Sequence, residues 1–261
     1  MLAFGWASGD MDLKPKRVYI GGGGELATAR EVLKHPSVEE VVMVDLDKMV
    51  VDVSREQLHE WSTGCFSDPR LTVHYTDAHA WLNRSDADTG LFDLIIMDIA
   101  DPFEAGPGIA LYTQEFYRIA KSKLTPGGVF VTQSGPGGLL THTECFTSVH
   151  RTLQSVFEHV LPYTAEIPSF GSNWGWNLAF DASGVRNSRL SSSEALEAGS
   201  TFKDLSMTSL STRLKSRVDP GGLRFYDGEG HRGIFHISKP IRDSIALEER
   251  IITKDNPVFM L

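Results

Sequence analysis

Four consecutive glycines, Gly21 to Gly24, sit between a short apolar run, Val18-Tyr19-Ile20, and a segment of helical composition, Ala27 to Leu33. That order reads as strand, tight turn and helix, the opening unit of an α/β nucleoside-binding sheet. Glycine tolerates positive φ and lets a ligand approach the backbone with no Cβ in the way, so Gly22, Gly23 and Gly24 are candidate ligand-binding positions. A glycine run alone fits a structural turn equally well. Glu25 narrows the choice. It stands at a helix start, where a dinucleotide site would seat its pyrophosphate on free N–H groups. A carboxylate there repels phosphate and attracts a sulfonium or an ammonium, which implies a cationic nucleoside of the S-adenosylmethionine type. Its other reading is an ordinary favourable charge near a helix N-terminus.

Further acids fall at the ends of later apolar runs. Val41 to Val44 reads as a second buried strand and ends in Asp45, twenty residues after Glu25, the offset at which an acid accepts from ribose hydroxyls in βαβ nucleoside sites. Leu71 to Tyr75 leads into Thr76-Asp77-Ala78, where Asp77 either accepts from an adenine amine or caps a helix. The run Phe92 to Met97 delivers Asp98, Asp101 and Glu104 into a loop with Pro102, Gly106 and Pro107. Three carboxylates within seven residues raise one another's pKa and are costly unless a cation neutralises them. The alternative is a solvated acidic loop.

These residues carry a family resemblance. The strings GGGGELATAREVLKHPSVEEVVMVDLD, FDLIIMDIADP, LYTQEFYRIAKSKLTPGGVFVTQ and PSFGSNWGW resemble the polyamine aminopropyltransferases, the spermidine and spermine synthase family. ADPFEAGPGIALYTQEFY, VTQSGPGG and Trp174-Gly175-Trp176 are most similar to its thermospermine synthase branch. The likeness runs from about Lys16 to about Ala182 and resumes from about Leu223 through NPVFM at 256–260. It implies decarboxylated S-adenosylmethionine as co-substrate, with no separate cofactor or metal, and a polyamine acceptor such as spermidine. Carried over by position, Glu25 would bind the donor's aminopropyl amine, Asp45 the ribose and Asp77 the adenine. Asp98 would accept the attacking amine's proton, Asp101 would orient that amine, and Glu104 would belong to the same acidic loop. Gln133 lies where the family often has a glutamine near the site, and a polar strand end is its other role.

Trp174 and Trp176 could cover a polyamine's methylenes and meet its ammonium groups by cation–π contact; for Trp176, core packing is preferred. Ile167 replaces a substrate-contacting tyrosine of the spermidine synthases, which argues mildly against putrescine as acceptor. Two departures stand against activity. Leu26 and Ala27 follow Glu25 where the family has Gly-Gly or Gly-Ser, so Leu26 either crowds the donor or shifts the turn. About seventeen residues precede the first strand, and the family's N-terminal β domain is expected to be missing.

The periodicity predicts helices over Lys48 to Trp61, Thr113 to Leu124 and Glu144 to Phe157, and strands over Val129 to Gln133, Val160 to Ile167 and Trp176 to Phe180. With the resemblance, this gives a seven-stranded, mostly parallel Rossmann-like sheet of the class I methyltransferase type, helices on both faces. The expected division is a short lead over 1–16, a catalytic domain over 17–182, a Ser-rich linker or insertion over 183–222 and a C-terminal segment over 223–261 packing on the catalytic domain. A net charge of −9 disfavours nucleic acid and suits cationic substrates. No apolar run is long enough to span a bilayer. Cys65 and Cys145 are far apart and lack a metal-ligand pattern. MLAFGWASGD has no signal-peptide core, so the cytoplasm is the default, and the resemblance suggests a homodimer. Two other readings stay open: a methyltransferase using S-adenosylmethionine itself, whose carboxylate Glu25 would repel, and a catalytically impaired binding or partner subunit.

Overall fold

The computed structural model describes residues 14–84, 89–104, 106–181, 207–218 and 222–260. Strands β1 (Arg17–Gly22), β2 (Glu40–Asp45), β3 (Leu71–Tyr75), β4 (Phe92–Asp98) and β5 (Leu124–Pro136) run parallel. Strand β6 (His159–Ile167) is antiparallel to β7 (Ser172–Phe180), which is antiparallel to β5. The order is β3-β2-β1-β4-β5-β7-β6, the doubly wound arrangement that the alternating sequence predicts. Its direction reverses between β1 and β4, and open parallel sheets bind ligands at the carboxyl edge of such a switch point.

Alternate residues of β1 feed opposite layers, as a period of two requires. Val18 and Ile20 enter one apolar cluster with Ala29 and Val32 of helix α1 (Ala27–Leu33), while Tyr19 enters the other. That second layer is built by α3 (Ala78–Leu82), α4 (Gln114–Ser122) and α5 (Phe146–Gln154), with Trp81, Phe116, Tyr117 and Leu153 buried in it. Helix α2 (Lys48–Gln57) is capped by Asp47, whose side chain accepts from the Met49 amide. It stops four residues short of the expected Trp61, and turns follow it to a short 3-10 segment at Cys65–Ser67.

The Ser-rich stretch expected as linker is helical in part. Residues Met207–Arg217 form α6, and Leu210 and Leu214 are buried in the first cluster; residues 183–206 and 219–221 of the stretch lie outside the described residues. Helices α7 (Gly228–Phe235) and α8 (Lys239–Leu247) follow, and Phe235 packs on Tyr163 of β6 with ring centroids 5.3 Å apart. Among the described residues no helix is long and apolar enough to cross a membrane.

Candidate active site

Strand register puts the glycine turn against the acidic loop. Gly22 pairs with Asp98 across β1 and β4, and the Gly23 amide donates to the Asp98 carbonyl at 2.8 Å. Gly22 has φ +80°, and a Cβ there would stand 2.1 Å from that same carbonyl oxygen, so only glycine fits. A Cβ on Gly24 would lie 3.0 Å from a carboxylate oxygen of Asp45, and one on Gly23 would lie 3.4 Å from a carboxylate oxygen of Asp98. The glycine turn therefore lies between the two acids.

Leu26 is the one non-glycine residue with positive φ among those described, at +64°. Its side chain is fully buried in the apolar cluster beneath α1, so it shifts the turn and does not crowd the cleft. A left-handed conformation costs a non-glycine residue about 1–2 kcal/mol, which burying a leucine side chain, worth about 1.5–3 kcal/mol, offsets.

Burial pushes the Asp98 carboxyl above its ordinary value; a hydrogen bond from the Thr28 hydroxyl at 2.5 Å pulls the other way, and the charge of Asp45 adds to the rise. Glu25 is raised by burial first and then by the negative charges of Asp98 and Asp45, with Arg30 opposing. Glu25, Asp45 and Asp98 thus share one electrostatic environment. Asp101 is also raised by burial, against a hydrogen bond from Gln133. Carboxyls lifted in this way gain from a cation placed among them.

Gln133, near the end of β5, organises the Asp101 side of the cleft. Its amide nitrogen lies 3.0 Å from Asp101 Oδ1, 2.9 Å from the Ile99 carbonyl and 2.6 Å from the Tyr112 hydroxyl. Its amide oxygen accepts from Trp174 Nε1 at 2.9 Å and from the Gly135 amide at 2.8 Å. The glutamine therefore joins Asp101 to Trp174 and is not merely a polar strand end. Trp174 packs on Phe170 with centroids 4.6 Å apart, whereas Trp176 stacks on Tyr163 and is half-buried, lining a cavity and not the core expected for it.

Two expected site acids are exposed. Asp77 is exposed and accepts from the Ala80 amide at 2.6 Å, so its visible role is to cap α3. Glu104 is exposed. Two polar participants escaped sequence reading: Thr28, one turn after Glu25, and Tyr112, whose hydroxyl donates to the Ala100 carbonyl at 3.1 Å. Tyr112 falls within the LYTQEFY string, which was its only signal.

Cys65 and Cys145 are buried free thiols. A cavity of about 390 Å³ under α1 is lined by Thr28, Val32, Ile96, Val131, Tyr163 and Leu178, among others. It shares Thr28 with the cleft, and its walls are mainly apolar, with Glu31 the single carboxylate among the described lining residues.

Comparison with known proteins adds an independent line. The spermine/spermidine synthase domain matches residues 7–185. The polyamine aminopropyltransferase of Aeropyrum pernix is 43% identical over 94% of this chain and 72% of its own length. Thermospermine synthase of Arabidopsis thaliana is 37% identical over 94% of this chain and 66% of its own. A crystal structure of spermidine synthase with the transition-state analogue AdoDATO superimposes with a TM-score of 0.71 at 26% identity, covering 90% of this chain and 70% of that one.

Proposed function

Because the chain belongs to the spermine/spermidine synthase family, we propose that it transfers an aminopropyl group from decarboxylated S-adenosylmethionine to a polyamine, most fittingly spermidine, releasing methylthioadenosine. The observation that carries this reading is the group of Glu25, Asp45 and Asp98 around the glycine turn, with Asp101 on the same loop, all acidic and three of them raised by burial.

In this reading the nucleoside lies over the glycine turn, with Asp45 taking the ribose and Asp77 beside the adenine edge. Glu25 holds the donor's ammonium. Asp101, Gln133 and Trp174 receive the acceptor, Glu104 serving at the outer rim. An alkylammonium has a pKa near 10, as in lysine, so it must give up a proton before its lone pair can attack. Asp98 takes that proton, and burial makes it a stronger base than an exposed carboxylate. The nitrogen then bonds to the propyl carbon attached to sulfur. The carbon–sulfur bond breaks with its electron pair on sulfur, and neutral methylthioadenosine leaves. The sulfonium is already an activated leaving group, so the displacement calls on no metal or redox group. Holding nitrogen and carbon in near-attack geometry supplies much of the acceleration, and placed proton acceptance adds a factor of about 10²–10⁴.

We further assign residues 17–182 as the catalytic unit, with 223–261 packed on it, and expect a cytoplasmic homodimer, which native mass and fractionation would check. The test of the activity is incubation with decarboxylated S-adenosylmethionine and a set of diamines and triamines. Methylthioadenosine formed in step with a lengthened polyamine supports it; donor left intact with every amine refutes it.

A further inference from the structure

The acidic loop is held carbonyl by carbonyl, and the last hold comes from a distant part of the chain. The Asp98 carbonyl accepts from Gly23 N–H, Ile99 from the Gln133 amide, Ala100 from the Tyr112 hydroxyl, Asp101 from Phe103 N–H and Pro102 from Met260 N–H at 3.0 Å. The Met260 sulfur and Asp101 Oδ1 both border the space beside Gly135. A Cβ placed on Gly135 would lie 3.9 Å from that sulfur and 3.7 Å from Asp101 Oδ1.

The segment bearing Met260 is itself anchored. Arg250 pairs with Glu248 and donates to the Thr143 carbonyl, and Glu248 accepts from the Thr147 hydroxyl. Ile252 is fully buried, its amide donating to Thr152 Oγ1 and its carbonyl accepting from Gln114 N–H. Thr253 and Asn256 exchange backbone hydrogen bonds that turn the chain, and Val258 packs against the second core cluster. A strap fixed at 248–252 thus ends on the residue next to Asp101. Nothing in the core requires that last contact, since Met260 is only half-buried.

We infer that the 248–260 strap, acting through Met260, is a positioning element for the acceptor carboxylate Asp101, with little influence on the donor side. This rests on the proposed transfer reaction for its kinetic consequence but not for its structural one. The Met260 amide fixes the backbone of Pro102, and its thioether limits how far the Asp101 side of the loop can swing. Loss of either widens the range of Asp101 positions, so acceptor binding weakens while Glu25, Asp45 and the glycine turn keep their geometry.

The test compares the full chain with Met260→Pro, which removes the N–H donor, Met260→Ala, which keeps it and removes the thioether, and Met260→Leu, which restores bulk. Losing one hydrogen bond to the carbonyl of the buried Pro102 predicts about a tenfold rise in acceptor KM for Met260→Pro. A smaller rise is expected for Met260→Ala, and near wild-type behaviour for Met260→Leu. Donor affinity, measured by calorimetry without acceptor, should be unchanged in all three. Hydrogen exchange followed by mass spectrometry should be about tenfold faster across residues 99–104 in Met260→Pro and unchanged in α1. Unchanged acceptor KM in a folded, active Met260→Pro and Met260→Ala would overturn the inference, as would equal losses of donor and acceptor affinity. If the unaltered protein transfers nothing, the proposed reaction falls, and the exchange comparison alone decides the strap: no change at 99–104 refutes it.

Discussion

Replacing Asp98 with asparagine should make the ligand-free protein more stable while stopping its chemistry. The carboxyl is largely desolvated in a half-buried position, with the Thr28 hydroxyl favouring its charge and Asp45 opposing it. Its folded-state pKa is therefore raised above the unfolded value. A raised acid contributes to folding below the unfolded pKa, and the contribution is lost as pH rises through the folded value. Near neutral pH the charged form is a liability of about 1.4 kcal/mol for each pKa unit of elevation. Asparagine still accepts from Thr28 through its carbonyl oxygen and carries no charge. A gain on the order of 1 kcal/mol moves the melting midpoint of a chain this size up by about 2–4 °C. Turnover, followed as methylthioadenosine release, should fall by at least about 10²-fold, since the proton acceptor is gone. Donor binding should persist. Scanning calorimetry over a pH series is the decisive assay, because the gap between the two proteins should close toward about pH 4, where both side chains are neutral. A variant that melts at or below the parent at neutral pH, or keeps the same advantage in acid, refutes the electrostatic account of the cleft.

Glu25→Gln should erase a preference of about tenfold or more for the decarboxylated donor over S-adenosylmethionine itself; equal binding of the two donors by the parent protein would remove Glu25 from donor selection. Thr28→Val withdraws the hydroxyl that lowers the Asp98 pKa, so the acid limb of the kcat/KM profile should move to higher pH, and an unmoved limb would deny Asp98 its role as base. Gln133→Leu leaves Trp174 Nε1 and the Gly135 amide without their acceptor, predicting a loss of about 1–3 kcal/mol in stability and weaker acceptor binding at constant donor affinity, read by urea melts and calorimetry. Leu26→Gly relieves a strain of about 1 kcal/mol but forfeits about 2–3 kcal/mol of burial, so denaturant unfolding should show net loss; a stabilised variant would mean that the left-handed turn dominates.

The sheet was legible because β1, β2 and β4 are short apolar runs ending in a glycine or an acid, and burial on both faces leaves such runs little freedom of assignment. Lys48 to Trp61 was read too long because Leu58 and Trp61 extend the apolar spacing, yet both are substantially exposed and the chain has already turned. Helix α3 spans five residues, too few for any period to show. Helix α7 carries Gly228, Gly230 and Gly233, which argue against a helix in sequence; Asp227 caps it, and His231 and Phe235 pack in contact with each other, 4.9 Å between ring centroids. In the site, the acids announced themselves through their place after strands. Thr28, Tyr112 and Met260 did not, because they act on loop carbonyls and a carboxylate from elements brought together only by the fold.

Two cations in one acidic cleft do more than cancel its charge. A sulfonium held beside the glycine turn lowers the proton affinity of an ammonium brought close to it, since like charges disfavour one another's charged forms. The same positive charge would also pull the Asp98 pKa down and weaken it as a base, but that carboxyl starts from a value raised by burial and by Asp45. Donor binding thus moves the acceptor's and the base's pKa values in the same direction, and proton transfer is eased only if the acceptor nitrogen feels the sulfonium more strongly than Asp98 does. In the proposed reaction, attack requires that nitrogen to lie next to the carbon bonded to sulfur, whereas Asp98, at the end of β4, would meet it from the strand side. In the proposed reaction, Asp101 fixed through Gln133 would hold the nitrogen where the difference is largest, which would make the rigidity of the 98–102 backbone a requirement of the chemistry and not only of the fold.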